Sequence, residues 1–175
     1  MKSWKEPLVP LLDRNGWKID EFARYDAFFD APAIIVPPET LDAALAERLP
    51  QQRIGVEIPN TFRPELLAPV QDQLSLVIVQ FPAFSDGRGF SIGRMLREQG
   101  YTGTLRANGR LVPDEFAFAR ACGFDEVEMS EEHAARMPVE QWLAAAAAFS
   151  ISYHNGPDAG ASIFARRRQR RSEAA

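Results

Sequence analysis

The residues best suited to chemistry gather in one stretch, Ser85-Asp86-Gly87-Arg88-Gly89, with Arg94 and Arg97 a short way on and Arg106 and Asn108 beyond. A glycine-rich turn before an amphipathic run can aim backbone N–H groups at an oxyanion while a guanidinium adds a bidentate donor. Sulfite, phosphate or a carboxylate would each suit it. The spacing matches neither a Walker loop nor a dinucleotide fingerprint. A purely structural reading also stands, in which Asp86 or Ser85 caps the next helix and the glycines supply positive φ. The expected anion-binding set is Ser85, Asp86, Gly87, Arg88, Gly89, Arg94, Arg106 and Asn108, and no residue is assigned a catalytic role. Each charge-assisted hydrogen bond contributes about 1.5–3 kcal/mol, so two or three converging arginines would give micromolar binding and one would not. Arg94 and Arg97 equally fit the solvated face of a helix.

Other reactive types are isolated. His133 follows Glu131-Glu132, where carboxylates can raise a histidine pKa or share a metal, but no second histidine stands at ligand spacing and a surface histidine is the simpler reading. His154 is alone too. Cys122, the single cysteine, falls near a helix end and reads as a small apolar residue before it reads as a reactive thiol. Asp114-Glu115 opens a helix, where the dipole and capping account for two carboxylates. No metal or cofactor is expected.

The elements that must position these groups recur as strand and helix. Ala33–Val36 is a short apolar strand, and Glu39–Leu49 carries Leu41, Leu45 and Leu49 at helical spacing. Arg53–Ile58 is a second strand and Pro64–Gln73 a short helix. Leu74–Phe81 is nearly unbroken in apolar character, as a parallel strand covered on both faces requires. A helix ending at Gly100, a strand at Thr104–Ala107, a helix over Pro113–Cys122, a strand over Asp125–Met129 and a helix over Pro138–Phe149 complete five cycles. The lead-in through Asp30 reads as a hairpin turning at Asn15-Gly16, or as irregular chain. Ser150–Gly156 is a candidate final extended piece. Crossovers of this length imply an α/β fold with a mainly parallel sheet, either doubly wound or a partial (β/α) barrel. Five units fall short of eight, so a partial barrel would invite a second subunit, a homodimer, to cover its open edges.

In such sheets ligands collect beyond the carboxyl ends of the strands. The first strand offers Glu39 there, the second Asn60, Thr61 and Arg63, and the third the serine–glycine loop. The fourth offers Asn108 and Arg110, with Arg106 just inside, and the fifth Ser130, Glu131 and His133.

A chain of 175 residues, 46% hydrophobic and 25% charged with 12 Phe, suits a single domain over residues 1–160 with an irregular lead-in at 1–30. Residues 161–175 form a basic tail, read as a solvated or disordered charge run. A net charge of −4 disfavours a dedicated nucleic-acid binder. No apolar run approaches the ~20 residues that span a bilayer. The amino terminus lacks the apolar core of a signal peptide, and a lone cysteine forms no internal disulfide, so the cytoplasm is the expected compartment.

Phe84-Ser85-Asp86-Gly87-Arg88-Gly89-Phe90-Ser91, then Arg94, Leu96-Arg97, Gly100-Tyr101-Thr102-Gly103, Leu105-Arg106-Ala107, Gly109 and Cys122-Gly123-Phe124, resemble a bacterial family known as domain of unknown function 934. The likeness runs from about Ala33 to Tyr153; at Pro113-Asp114-Glu115 the chain departs from the Asp-Gln usual in the family. Members are described as oxidoreductases or accessory proteins of assimilatory sulfite reduction, because their genes lie beside that of the sulfite reductase haemoprotein. The resemblance thus implies a cytoplasmic role in sulfate assimilation and cysteine synthesis, with the reductase or a small oxyanion as partner. It supplies no catalytic residue, and nothing in the residues themselves marks a nicotinamide, flavin, haem or iron–sulfur site. The alternative is a small stand-alone enzyme with a barrel-like site at the strand ends, using Asp86 in acid–base chemistry and Arg88 and Arg106 as anion clamps.

Overall fold

A computed structural model describes residues 10–24, 30–83 and 85–148. The candidate extended piece after Phe149, His154 and the arginine-rich tail lie outside the described residues.

The apolar runs form the expected strands, the first three with the expected bounds, the fourth two residues longer than expected and the fifth one residue shorter at each end. β4 (Ala33–Val36), β5 (Arg53–Ile58) and β6 (Leu74–Phe81) are parallel neighbours, followed by β7 (Thr104–Gly109) and β8 (Glu126–Glu128). Between them lie α1 (Leu41–Ala46), α2 (Arg88–Glu98) and α3 (Pro113–Ala121), and α4 (Glu131–Arg136) and α5 (Val139–Ala148) follow β8. The β5–β6 connection is shorter in its helical content than its leucines predict. Pro64–Leu67 and Gln71–Gln73 are single 3₁₀ turns, because Leu67 alone of that segment's leucines is buried while Leu66 is exposed.

The lead-in is the part that periodicity described least. Leu11–Asp13 (β1) and Gly16–Lys18 (β2) form the hairpin announced by Asn15-Gly16, and Gly16 takes φ +121° at the turn. β1 then adds antiparallel to β8, while Ala23–Arg24 (β3) adds parallel to β4 at the opposite edge. The order is β2-β1-β8-β7-β6-β5-β4-β3. Laid flat, eight strands at about 4.8 Å spacing would set β2 and β3 about 34 Å apart. Yet only Ile19–Phe22 joins them, and five residue steps reach at most about 18 Å. The sheet must therefore curl, and it does so into a half-barrel whose two edges are bridged by that short strap. The chain's own lead-in thus takes part of the covering role that five units alone would have left to a second subunit.

Alternation along the strands sorts side chains onto two faces. The convex face carries Val56, Ile58, Val77, Val79, Phe81, Leu105, Ala107 and Val127 into one core with Leu41, Leu96, Phe116 and Trp142 from the helices. The concave face carries a small apolar patch of Ile35, Leu76 and Ile78 covered by Phe22, and otherwise polar groups.

α2 lies unusually close to the sheet. A Cβ on Gly89 would stand 2.5 Å from the Phe81 ring, and one on Gly93 2.2 Å from that of Phe124. The Phe81 ring packs tilted against Phe90 at a centroid distance of 4.8 Å and edge-on against Phe124 at 5.7 Å. Two glycines one helical turn apart let the backbone seat on those rings. Gly100, at φ +92°, then closes the helix, with Tyr101 N–H reaching back to the Leu96 carbonyl.

Candidate functional site at the carboxyl ends of the strands

The serine–glycine loop follows β6, as its sequence requires, and its charges are satisfied locally. Asp86 accepts from the Arg88 backbone N–H at 3.2 Å, from Arg88 Nε at 2.9 Å and Nη2 at 2.6 Å, and from Asn60 Nδ2 at 2.8 Å. The guanidinium hydrogen bonds of Arg88 hold the Asp86 carboxyl well below the usual aspartate range, against the opposing effect of desolvation. Asp86 thus fixes the first turn of α2 and the Arg88 side chain together, the latter 60% exposed. Gly87 precedes the helix at negative φ and Gly89 packs on Phe81, so neither uses positive φ.

The remaining arginines of the stretch point elsewhere. Arg94 pairs with Glu98 one turn on, at 2.8 Å on the exposed face of α2. Arg97 donates to the carbonyls of Gly123, Tyr101 and Gly103 and to Asp125, at 2.7–2.9 Å, and so ties the end of α2 to the approaches of β7 and β8. Arg106 faces the concave side, 1% exposed, away from α2. Its Nε meets Glu126 at 2.8 Å, its Nη1 meets Glu128 at 2.9 Å and Asp20 at 2.6 Å, and its Nη2 meets Asp20 at 2.9 Å. The anion-clamp expectation for Arg106 therefore meets a guanidinium already enclosed by three carboxylates of the chain.

That cluster fills the lumen of the half-barrel. Register places Glu57, Ile78, Arg106 and Glu126 in one row and Gln80, Asn108 and Glu128 in the next. Arg24, from the far edge strand, bonds both Glu57 and Glu128 across the lumen, and Lys18 reaches Glu126 at 2.6 Å. Burial works to lower the Arg106 pKa, and the hydrogen bonds and charges of Asp20, Glu126 and Glu128 more than offset it. Sequence reading missed Glu57, Glu126 and Glu128. The available signal was an arginine between Leu105 and Ala107 in mid-strand, in register with the acid of an alternating Glu-Val-Glu strand.

Beyond the ends of β7 and β8 the rim opens into a cleft of ≈ 570 Å³ lined by Asn108, Gly109, Arg110, Ser130, Glu132, His133 and Arg136. This brings together three of the strand-end residues marked from sequence, Arg110, Ser130 and His133, with Asn108 of the expected binding set. Arg136 and Glu132, one turn apart on α4 and ion-paired, complete it. Gly109 turns the chain out of β7 at φ +137°, where a Cβ would meet the Phe81 carbonyl at 2.1 Å, and Arg110 N–H donates to that oxygen at 3.2 Å. Among the described residues Arg110 forms no ion pair and is exposed.

Each polar group of the cleft has an assignable direction. Asn108 Nδ2 donates to Glu57 Oε1 at 2.8 Å, because an ionised carboxylate only accepts. His133 Nε2 lies 2.5 Å from the Leu111 carbonyl, which also only accepts, so this nitrogen carries the proton. Trp142 stands edge-on to the imidazole at 6.3 Å. Ser130 Oγ accepts from His133 N–H at 3.3 Å, which leaves its own proton free to donate. Glu115 caps α3 through the Val112 N–H at 3.0 Å, the role its position in the sequence implied. Burial pushes the half-buried Cys122 thiol up, against thiolate formation. Among the described residues no group of histidine, cysteine and carboxylate side chains is arranged to hold a metal ion, and no helix is long and apolar enough to cross a membrane.

No curated protein matches the chain. The family model described as bacterial protein of unknown function (DUF934) matches residues 55–164, a span that runs from within β5 through α5 and takes in the two ring-seated glycines, Arg97, Arg106 and the whole cleft. Well over half of the 175 residues fit that pattern, and the chain belongs to the bacterial family called domain of unknown function 934.

Proposed function

We propose that the protein is an accessory of assimilatory sulfite reduction that binds a small oxyanion in the cleft beyond β7 and β8. The observation that carries this reading is Arg110, an exposed guanidinium without an ion pair among the described residues, set beside Ser130, His133, Asn108 and Arg136 at the end of the sheet where α/β ligands collect. Unspent donors around one concavity are what an anion needs, since each charge-assisted bond contributes about 1.5–3 kcal/mol. The donors of Arg88, Arg94 and Arg106 are engaged by Asp86, Glu98 and the lumen carboxylates, so an anion there would first have to displace a tethered carboxylate. The link to sulfite reduction rests on the family resemblance and fits a partner that delivers or senses an oxyanion for the reductase haemoprotein.

The test is thermal denaturation with sodium sulfite, phosphate or sulfate against sodium chloride at matched ionic strength. Binding at a ligand concentration one hundred times Kd stabilises by about 2.7 kcal/mol, a rise of several degrees for a chain of this size. Arg110→Ala should abolish the rise and leave the unliganded midpoint within about 0.5 kcal/mol of wild type, as an exposed substitution does. No shift with any oxyanion sinks the binding reading. The accessory role fails separately if the protein never co-purifies with the reductase and sulfite reduction proceeds unchanged without it.

A further inference from the structure

Resting on the oxyanion reading, the geometry points to a narrower ligand class: we infer that the cleft takes a monoanionic oxyanion that still bears a proton, such as hydrogen sulfite or dihydrogen phosphate, and rejects sulfate. Three features of the cleft lead there.

The first is charge. Arg110 and Arg136 bring two cations and Glu132 one anion, so the lining balances a single negative charge and not two.

The second is the Asn108 amide. Its nitrogen spends one N–H on Glu57, itself anchored by Arg24 and by Gln80 at 3.1 Å, which fixes the orientation of the amide and leaves the carbonyl Oδ1 as an acceptor at a cleft-lining residue. An acceptor facing an anion is repulsive unless the anion carries an O–H to donate. The third is His133. With Nε2–H donating to the Leu111 carbonyl, the other ring nitrogen, Nδ1, is a second acceptor in the same lining whenever the imidazole carries a single proton. Ser130 and Arg110, the latter unpaired among the described residues, supply donors for the anion's unprotonated oxygens. Donors and acceptors around one cleft select a ligand that offers both, and the penalty for a mismatched buried pair is the usual source of large discrimination.

Isothermal titration of the intact protein with phosphate, sulfite and sulfate tests this, at pH 6 and pH 8 and constant ionic strength. Phosphate and sulfite should bind at least about tenfold tighter than sulfate at pH 6, the worth of roughly one mismatched charged hydrogen bond. Their affinity should fall toward pH 8 as the ligands lose their protons. Arg110, Arg136 and Glu132 share the lining with His133, and Glu57 lies behind Asn108. Protonation of the protein would strengthen sulfate binding as well, so sulfate is the control that separates ligand protonation from protein protonation. Asn108→Ala removes the acceptor and should narrow the phosphate-to-sulfate ratio, a change of preference that mere loosening of the site would not produce. Sulfate binding as tightly as phosphate overturns the inference while leaving an oxyanion site standing. Absence of binding by all three overturns the oxyanion reading itself.

Discussion

Arg106 sits 1% exposed among Asp20, Glu126 and Glu128, and its role follows from what its removal would leave behind. Arg106→Met keeps the length and apolar stem but strands three carboxylates in the lumen, with only Lys18 and Arg24 nearby to compensate. Breaking one side of a buried ion cluster costs about 3–5 kcal/mol, and Arg106→Met should destabilise by that order in urea unfolding at pH 7. The loss should shrink in acid, because protonation relieves the stranded carboxylates. A loss below about 1 kcal/mol at pH 7 would mean that the lumen is better hydrated than its burial indicates. The residue also shows how sequence reading goes astray. An arginine near a strand end resembles an anion clamp until the acid of the next strand, 20 residues on, is set in register with it. Register between Arg106 and Glu126 is a property of the sheet and is invisible to periodicity within either strand.

At the scale of elements, α2 is fixed by contact with aromatic rings more than by its own helical preference. Replacing a glycine in a helix interior by alanine ordinarily stabilises by about 0.5–1 kcal/mol. Gly93→Ala should instead destabilise by about 1–3 kcal/mol, because the new methyl falls 2.2 Å from a Phe124 ring that is itself 3% exposed and braced by Phe81. Chemical denaturation of Gly93→Ala, alone and with Phe124→Leu, checks the cause. The smaller partner should recover part of the loss, and two additive penalties would refute ring contact as the reason for the glycine. The strands β4, β5 and β6 were legible to the residue because each is an apolar run buried on the convex face with enough length to declare itself. The glycine loop was legible as a turn before a helix. Its reason was not, since Gly89 and Gly93 answer to Phe81 and Phe124, and the latter lies a full strand–helix unit away. In the cleft, Arg110, Ser130 and His133 were placed by the rule that ligands gather past strand ends. Arg136 and Glu132 escaped it, because α4 forms where no helix was expected, between β8 and the helix expected from Pro138.

The whole molecule is a curled sheet held shut by a strap of four residues between its outermost strands. β1, β2 and β3 are only two or three residues long, and the partners that stabilise them, β8 and β4, are chosen by the closure and not by any local pattern. What pins the strap is polar: Asp20 on Arg106, Arg24 on Glu57 and Glu128, and Arg53 over the Phe22 ring at 5.0 Å with a bond to Glu21 at 2.8 Å. Burial acts to raise the Asp20 pKa, but the hydrogen bonds and charge of Arg106 prevail and set it below the ordinary aspartate value. A carboxyl depressed in the folded state contributes stability that is complete above its unfolded value, about pH 4, and is lost as the pH falls through the folded one. Closure should therefore persist through neutral and mildly acid solution and weaken only below about pH 4. Amide hydrogen exchange, corrected for intrinsic rates, should show Ile19–Arg24 losing protection there while β6 amides remain protected, the mark of local opening. Asp20→Asn should show the same opened strap already at pH 7 and little further change in acid. If strap and β6 lose protection together in the wild type, acid unfolds the sheet as a unit and the strap is no separate closure. If Asp20→Asn keeps its strap protected at pH 7, the apolar seat of Phe22 on Ile35, Leu76 and Ile78 is what holds the barrel closed.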